Sequence, residues 1–356
     1  MGRLRSLAVH AVLVLVSTGF ALGLLEALMR RGSPPPNFFD ELEKYMQTVT
    51  YAGHSYPVHL ANFSGTILGV RFRTNRDGLR DRDFAVPKPP GTLRILALGD
   101  SVTLGWGVPE DAMFTKRLEG ILSARRGAPV EVVTAAVAGW NTVQELAFLA
   151  QQGFGYEPDV VVVGYVVNDS GTPLIAADHR SLRDRLAVTL VTNSRLAELA
   201  AVTYAKLTAP TVTPPPPAPP AAGPPPTATP GPVAPAPPAR PEPFSDGDRG
   251  WLRSRAALQR MATLTRARGI SFAVFCFNVY GQAIEEKGCT EVERFVAGIE
   301  VPVVSTYHWF DGTDRSRFRL SRTDPHPNAE GNAIIATRLA DWLWDTIPAL
   351  HAPRAP

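Results

Sequence analysis

Cysteine is almost missing from this 356-residue chain, which has only Cys276 and Cys289. Two cysteines cannot build a disulfide framework, and they make a poor metal site. They could pair in an oxidising compartment, but Cys276 sits in the apolar run "ISFAVFCFN", where a buried free thiol is the plain expectation. Net charge is also scant, at +3. The basic residues are scattered rather than clustered, so the chain lacks the electrostatic footprint of a nucleic-acid binder. It has no glycine-rich dinucleotide loop and no metal-ligand spacing, and no cofactor is expected. Histidines number only seven, few enough to weigh one by one. Apolar residues are not scarce: at 45% they are enough for a real core and exclude global disorder.

Near the N-terminus, after Arg3 and Arg5, residues 7–25 read "LAVHAVLVLVSTGFALGLL", with one histidine and no formal charge. As a helix this run is about 28 Å long, close to a bilayer core of ~30 Å. It reads as an uncleaved anchor ending at Arg30-Arg31, or as a signal peptide cleaved near Ala21-Leu22-Gly23. Basic residues flank both ends, so charge does not fix the orientation. Either way, residues 1–31 address the chain to a membrane.

Residues 32–92 are rich in turns ("GSPPPN", "NRDGLRDRD", "PKPPG") and read as an extended lead-in wrapped on a following domain. From Leu93 a β-α rhythm begins. Strands are expected at "LRILALG" (93–99), "VEVVTAAV" (130–137) and "PDVVVVGYVV" (158–167), with helices at 114–126 and 142–154. The apolar runs are continuous rather than alternating, which points to strands buried on both faces and hence to a parallel sheet under helices. Residues 181–207 read as one or two crossover helices. Residues 209–243 then carry half of the 34 prolines and cannot be folded core. Beyond this tract the rhythm resumes, with helices at 249–269, 283–299 and 329–347 and strands at 270–278 and 301–306.

Three strands before the tract and two after make one ordinary five-stranded sheet. The tract could extend about 100 Å at ~3.1 Å per residue. It is nevertheless read as a surface loop over 209–245, since closure cost grows only logarithmically with loop length. Residues 93–348 are then one interrupted domain.

The chemistry is concentrated at strand ends. "GDS" (99–101) closes the first strand, where an open parallel sheet binds its ligands. Ser101 there is either a nucleophile or a helix-capping turn residue. Its candidate base is His326, in the turn-rich "SRTDPHPNAEGN", with Asp324 two residues earlier as the group that would orient the ring. Gly139 follows the second strand in "AAVAGWNT", and Asn168 follows the third in "GYVVNDSG". With the Ser101 N–H, these two could supply oxyanion donors.

Ser101, Gly139, Asn168 and His326 in that order resemble the SGNH (GDSL-type) hydrolase superfamily over about 93–346, and "NRDGLRDRDF" (75–84) resembles the lead-in of its membrane-anchored bacterial members. The resemblance implies an α/β fold: a three-layer α/β/α sandwich on a five-stranded, mostly parallel, flavodoxin-like sheet. It also implies Ser101 as nucleophile and oxyanion donor, Gly139 and Asn168 as further donors, and His326 as base. The family's acid stands three residues before the histidine, which here is Thr323. Asp324 is therefore the displaced candidate, and a backbone carbonyl is the alternative.

Trp106 and Trp140 flank these groups and read as substrate-binding residues, forming an acyl pocket or a sugar platform, or else as ordinary packing. The expected activity is that of an extracytoplasmic, membrane-anchored esterase or deacylase acting on an acylated glycan, lipid or other small ester through an acyl-serine. Two alternatives stand beside it. One is an O-acyltransferase that modifies an envelope polysaccharide with the same residues. The other is a non-catalytic envelope scaffold whose proline-rich loop recruits a protein partner.

Overall fold

The computed structural model describes residues 2–31, 45–51, 54–171, 242–321 and 324–351. The chain divides into two units, residues 1–40 with 180–240, and residues 41–179 with 241–356. The described part of the first unit is one helix, α1 (Gly2–Arg31). It leaves Leu13, Val14, Phe20, Leu24 and Leu28 exposed. Among the described residues no helix is long and apolar enough to cross a membrane. The membrane span expected over 1–31 is therefore not shown. The helices expected over 181–207, and the proline-rich tract up to residue 241, lie outside the described residues.

The second unit opens with two hairpins. β1 (Met46–Tyr51) pairs antiparallel with β2 (His54–His59), and β3 (Ser64–Ile67) pairs antiparallel with β4 (Val70–Arg73). The lead-in thus has more regular structure than its turn-rich sequence announces. Side chains tie it to the β-α part of the same unit: Trp140 Nε1 donates to Pro57 O at 2.7 Å, and Asp81 accepts from the Thr134 N–H at 3.0 Å.

The main sheet has five strands: β5 (Leu93–Gly99), β6 (Val130–Ala136), β7 (Val160–Tyr165), β8 (Ser271–Cys276) and β9 (Val303–Ser305). Their order is β6-β5-β7-β8-β9, and every neighbouring pair is parallel. All residues of β5 and β7 are buried, as continuous apolar runs require.

Alternation along β5 sends Ile95 and Ala97 to one face, against Phe114 and Leu118 of α2 (Phe114–Arg126) and Leu339 of α6 (Ala329–Thr346). Leu96 and Leu98 point the other way. They join a cluster with Phe148 of α3 (Thr142–Gln151), Leu258 of α4 (Arg249–Arg266) and Val292 of α5 (Ala283–Gly298). Burying each such side chain contributes roughly 1.5–3 kcal/mol, so the sheet centre dominates the fold's stability. One charge enters this strand: Arg94, fully buried, pairs with Glu131 at 2.6 Å and donates to the Tyr156 and Ala85 carbonyls.

The free thiol expected at Cys276 is not found. Cys276 is joined to Cys289 by a disulfide, with Cα atoms 5.6 Å apart. The cause is helix placement: α5 returns along β8 with its buried face inward, and that face carries Cys289.

In chain order the five strands run second, first, third, fourth, fifth across the sheet. The chain changes sides between β6 and β7, which opens a crevice at the carboxyl ends of β5 and β7.

Candidate active site

At that crevice β5 stops at Gly99 and the chain turns sharply. Asp100 Oδ1 accepts the Val102 N–H at 2.9 Å, and the Trp106 N–H returns to Ser101 O at 3.0 Å. Ser101 is left at the mouth of the turn, 8% exposed. From far along the chain, His326 Nε2 lies 2.8 Å from Ser101 Oγ, and His326 Nδ1 lies 2.6 Å from Asp324 Oδ1. The carboxylate selects the tautomer in which Nδ1–H donates, leaving Nε2 to accept the serine proton. A longer contact, 3.3 Å, runs from the same hydroxyl to Asp100 Oδ2.

Local geometry explains how an aspartate only two residues away can serve. Asp324 Oδ1 also accepts the backbone N–H of His326, at 2.9 Å. This side-chain-to-backbone turn across Pro325 brings the carboxylate beside its own neighbour's ring. The segment is held at both ends. The Leu320 N–H donates to His326 O, and Asn328 caps α6 by accepting the Glu330 and Gly331 N–H groups. Burial pushes the Asp324 carboxyl up, but bonds from the His326 ring and backbone, with a further one from Trp106, hold it below the usual carboxylate range. Asp324 therefore stays ionised beside the imidazole.

The candidate oxyanion donors meet at the same edge. Gly139 follows β6 in a turn closed by Trp140 N–H to Val137 O, and its φ of +79° is a conformation other residues rarely adopt. Just after it, Asn141 and Gln144 form a reciprocal capping box that fixes the start of α3. Among the described residues neither the Ser101 nor the Gly139 N–H has a protein acceptor. Asn168 is exposed in a short turn after β7, which Asp169 closes by accepting the Val166 N–H at 2.9 Å. One Asn168 amide N–H donates to Asp100 Oδ2 at 3.0 Å, and an amide carries two.

The two tryptophans expected to bind substrate, Trp106 and Trp140, are both buried. Trp140, 1% exposed, spends its indole N–H on Pro57 and packs against Tyr56 and Phe148. Trp106, 3% exposed, lies 6.1 Å from the His326 ring and donates to Asp324. Both are large apolar groups whose N–H finds an acceptor within the protein, Pro57 O for Trp140 and the half-buried Asp324 carboxylate for Trp106, which lets the rings be buried. A cavity of about 580 Å³ does open beside Trp140, under the first hairpin and against Gln151 and Tyr156, but Ser101, Asn168 and His326 do not line it.

Sequence reasoning missed a group of buried acids under the site: Asp100, Glu145 and Asp169. Burial pushes all three carboxyls up, and the charge on Asp100 adds to the rise at Glu145. Among the described residues, both Glu145 oxygens lack hydrogen-bond partners. Helical spacing along α3 could have flagged Glu145, which stands among apolar positions. Among the described residues no group of three or more His, Cys, Asp or Glu is placed to hold a metal ion.

Residues 97–334, more than half of the chain, match the model of the GDSL-like lipase/acylhydrolase family. The chain belongs to that family. Solved structures of similar fold include that of TesA, 16% identical, spanning 72% of this chain and 99% of its own, at a TM-score of 0.41. The lipase Lip_vut3 from a goat rumen metagenome is 16% identical over 70% of this chain and 97% of its own, at 0.41. The acetylxylan esterase Axe2 from Geobacillus stearothermophilus is 12% identical over 70% and 94%, at 0.42. No curated protein sequence matches the chain. As a GDSL-family member the chain falls in the class of ester hydrolases.

Proposed function

We propose that this GDSL-family chain is a serine esterase working through an acyl-serine. The observation that carries the reading is the unbroken line from Ser101 Oγ through His326 to Asp324, at 2.8 and 2.6 Å. Ser101 Oγ attacks the ester carbonyl carbon while His326 Nε2 takes the hydroxyl proton. Charge builds on the carbonyl oxygen, where the N–H groups of Ser101 and Gly139 and the Asn168 amide receive it. Each such donor is worth about 10²–10³ in rate. The carbon–oxygen bond to the alcohol then breaks, and His326 returns its proton to the departing alkoxide. In the second step His326 takes a proton from water, the resulting hydroxide equivalent attacks the acyl carbon, and Ser101 leaves with its proton restored. Asp324 holds the ring and stabilises the imidazolium in both steps.

The substrate we propose is an acylated glycan or lipid of the cell envelope, met outside the cytoplasm. Two features support this location. The Cys276–Cys289 disulfide belongs in an oxidising compartment. The uncharged run of residues 7–25, with exposed leucines and valines on α1, fits membrane attachment. An intact triad speaks against the scaffold reading. A sugar hydroxyl in place of water would make the same machinery an acyltransferase, an option that no feature of the site favours.

The test is hydrolysis of p-nitrophenyl acetate and butyrate by the full chain in detergent. Wild type is expected to turn over, with Ser101→Ala and His326→Ala at background. Activity that survives Ser101→Ala would remove the assignment.

A further inference from the structure

Arg80 is a full positive charge in a nearly dry place, 1% exposed, and among the described residues it makes no salt bridge. It lies before the segment that matches the family. Burial lowers its pKa to about 10, so it remains charged at neutral pH. Its guanidinium does a different task. Nη1 donates to Leu104 O at 3.0 Å and to Gly105 O at 2.6 Å, and Nη2 donates to Val108 O at 2.6 Å. The plane also lies over the Phe72 ring, 4.9 Å from its centroid. A planar fork with fixed donors can collect three carbonyls from one loop, and a lysine cannot reproduce that.

That loop is the one that begins at the nucleophile. The Leu104 N–H bonds to Asp100 O, the Gly105 N–H to Val102 O and the Trp106 N–H to Ser101 O, so the whole segment turns on Ser101. The three residues that carry these carbonyls are buried; without the guanidinium the Leu104 and Val108 carbonyls would lose the partner it gives them, and Gly105 O would keep only the Val108 N–H, at 3.2 Å. At the loop's centre stands Trp106, packed by the His326 ring and donating its indole N–H to the Asp324 carboxylate. Arg80 is itself placed by a rigid turn. Asn75 Oδ1 accepts the Asp77 and Leu79 N–H groups, at 3.0 and 2.9 Å. Gly78 sits at φ +79°, where an added Cβ would lie 2.6 Å from His59 O.

We propose that Arg80 is a positioning residue of the active site: it clamps the turn that presents Ser101 and, through Trp106, holds Asp324 against His326. It touches no reacting group. The lead-in is then part of the catalytic apparatus, and the "NRDGLR" segment is the device that delivers the guanidinium. This inference rests on the serine-esterase reading for its kinetic consequence but not for its geometric one, and the experiment reads the two separately.

The full chain is compared as wild type, Arg80→Met, Arg80→Lys, Trp106→Phe and Ser101→Ala. Two quantities are measured: kcat and KM for p-nitrophenyl acetate, and the far-downfield proton resonance of His326 Nδ1–H, assigned by its loss in Asp324→Asn. Arg80→Met is expected to lower kcat by about ten- to a hundredfold with KM nearly unchanged, as small misplacements of reacting groups do. The downfield resonance should vanish or move upfield in the folded protein. Arg80→Lys should fall between the two, and Ser101→Ala should be inactive yet keep the resonance.

A folded Arg80→Met protein with wild-type kcat and resonance would overturn the proposal. A variant that merely melts earlier, with both readouts intact per folded molecule, would overturn it equally. Should Arg80→Met fail to fold, Trp106→Phe tests the second half of the linkage. It leaves the clamp and removes only the donor to Asp324, so an unmoved resonance would contradict the account. If wild type hydrolyses no ester but the resonance still responds to Arg80, the esterase reading fails and the clamp stands.

Discussion

Among single residues, Asn168 offers two amide N–H groups. One amide N–H is already engaged by Asp100 Oδ2 at 3.0 Å, and the proposed mechanism uses the other. Asn168→Ala removes both. Steady-state kinetics on p-nitrophenyl acetate should then show kcat down by about 10²–10³ with KM little changed, because the lost bond forms fully only in the transition state. A rise in KM at constant kcat would show that Asn168 binds substrate rather than the oxyanion. The places of Ser101, Gly139, Asn168 and His326 in the fold were legible in the sequence because each follows a strand or precedes the last helix. The use of Asp324 was less legible. Its spacing differs from the family pattern, and only the shared acceptor at Oδ1, for both the ring and the backbone N–H of His326, makes two residues enough. The burial of both tryptophans was not legible, because nearness in sequence to a strand-end residue does not say which way an indole faces.

Among the elements, the lead-in hairpins carry a titratable group that stability must accommodate. His59, at the end of β2, is buried against Tyr45 and Phe72, and its Nδ1–H donates to Gly78 O at 3.1 Å. Burial lowers its pKa from 6.5 to about 4. As pH falls through this window the unfolded chain takes up a proton that the folded one refuses. The stabilisation is therefore whole above pH ~6.5 and is lost toward pH 4, amounting to about 3 kcal/mol at most. His59→Phe keeps the ring packing and cannot titrate. Chemical denaturation at pH 7 and 4.5 should show wild type losing more stability than the variant across this interval, and equal losses would contradict the burial argument. The second hairpin escaped sequence reading because β3 and β4 are four residues each with a single buried residue apiece, which leaves little apolar alternation to see.

Across the whole molecule, the continuous apolar runs were enough to foretell a parallel α/β sheet, since strands buried on both faces leave no polar face to alternate. The order of chemistry along the chain also foretold that sequence on both sides of the proline-rich tract serves one sheet: β5, β6 and β7 precede it, while β8, β9 and the Asp324–His326 pair come after. The disulfide was not legible, because pairing depends on where α5 lies across β8 and not on the apolar run around Cys276. Arg80 was hidden for a related reason. Its partners are backbone carbonyls more than 20 residues away, which carry no sequence signal.

The central claim is that Ser101 is a nucleophile activated by His326. Its most direct test is a fluorophosphonate reacted with the full chain, read by peptide mass spectrometry alongside residual ester turnover. The account predicts one adduct, on the peptide containing Ser101, appearing in step with loss of turnover and absent from His326→Ala. Full labelling of Ser101 with turnover intact, or an adduct on another residue that tracks the loss of activity, would contradict it.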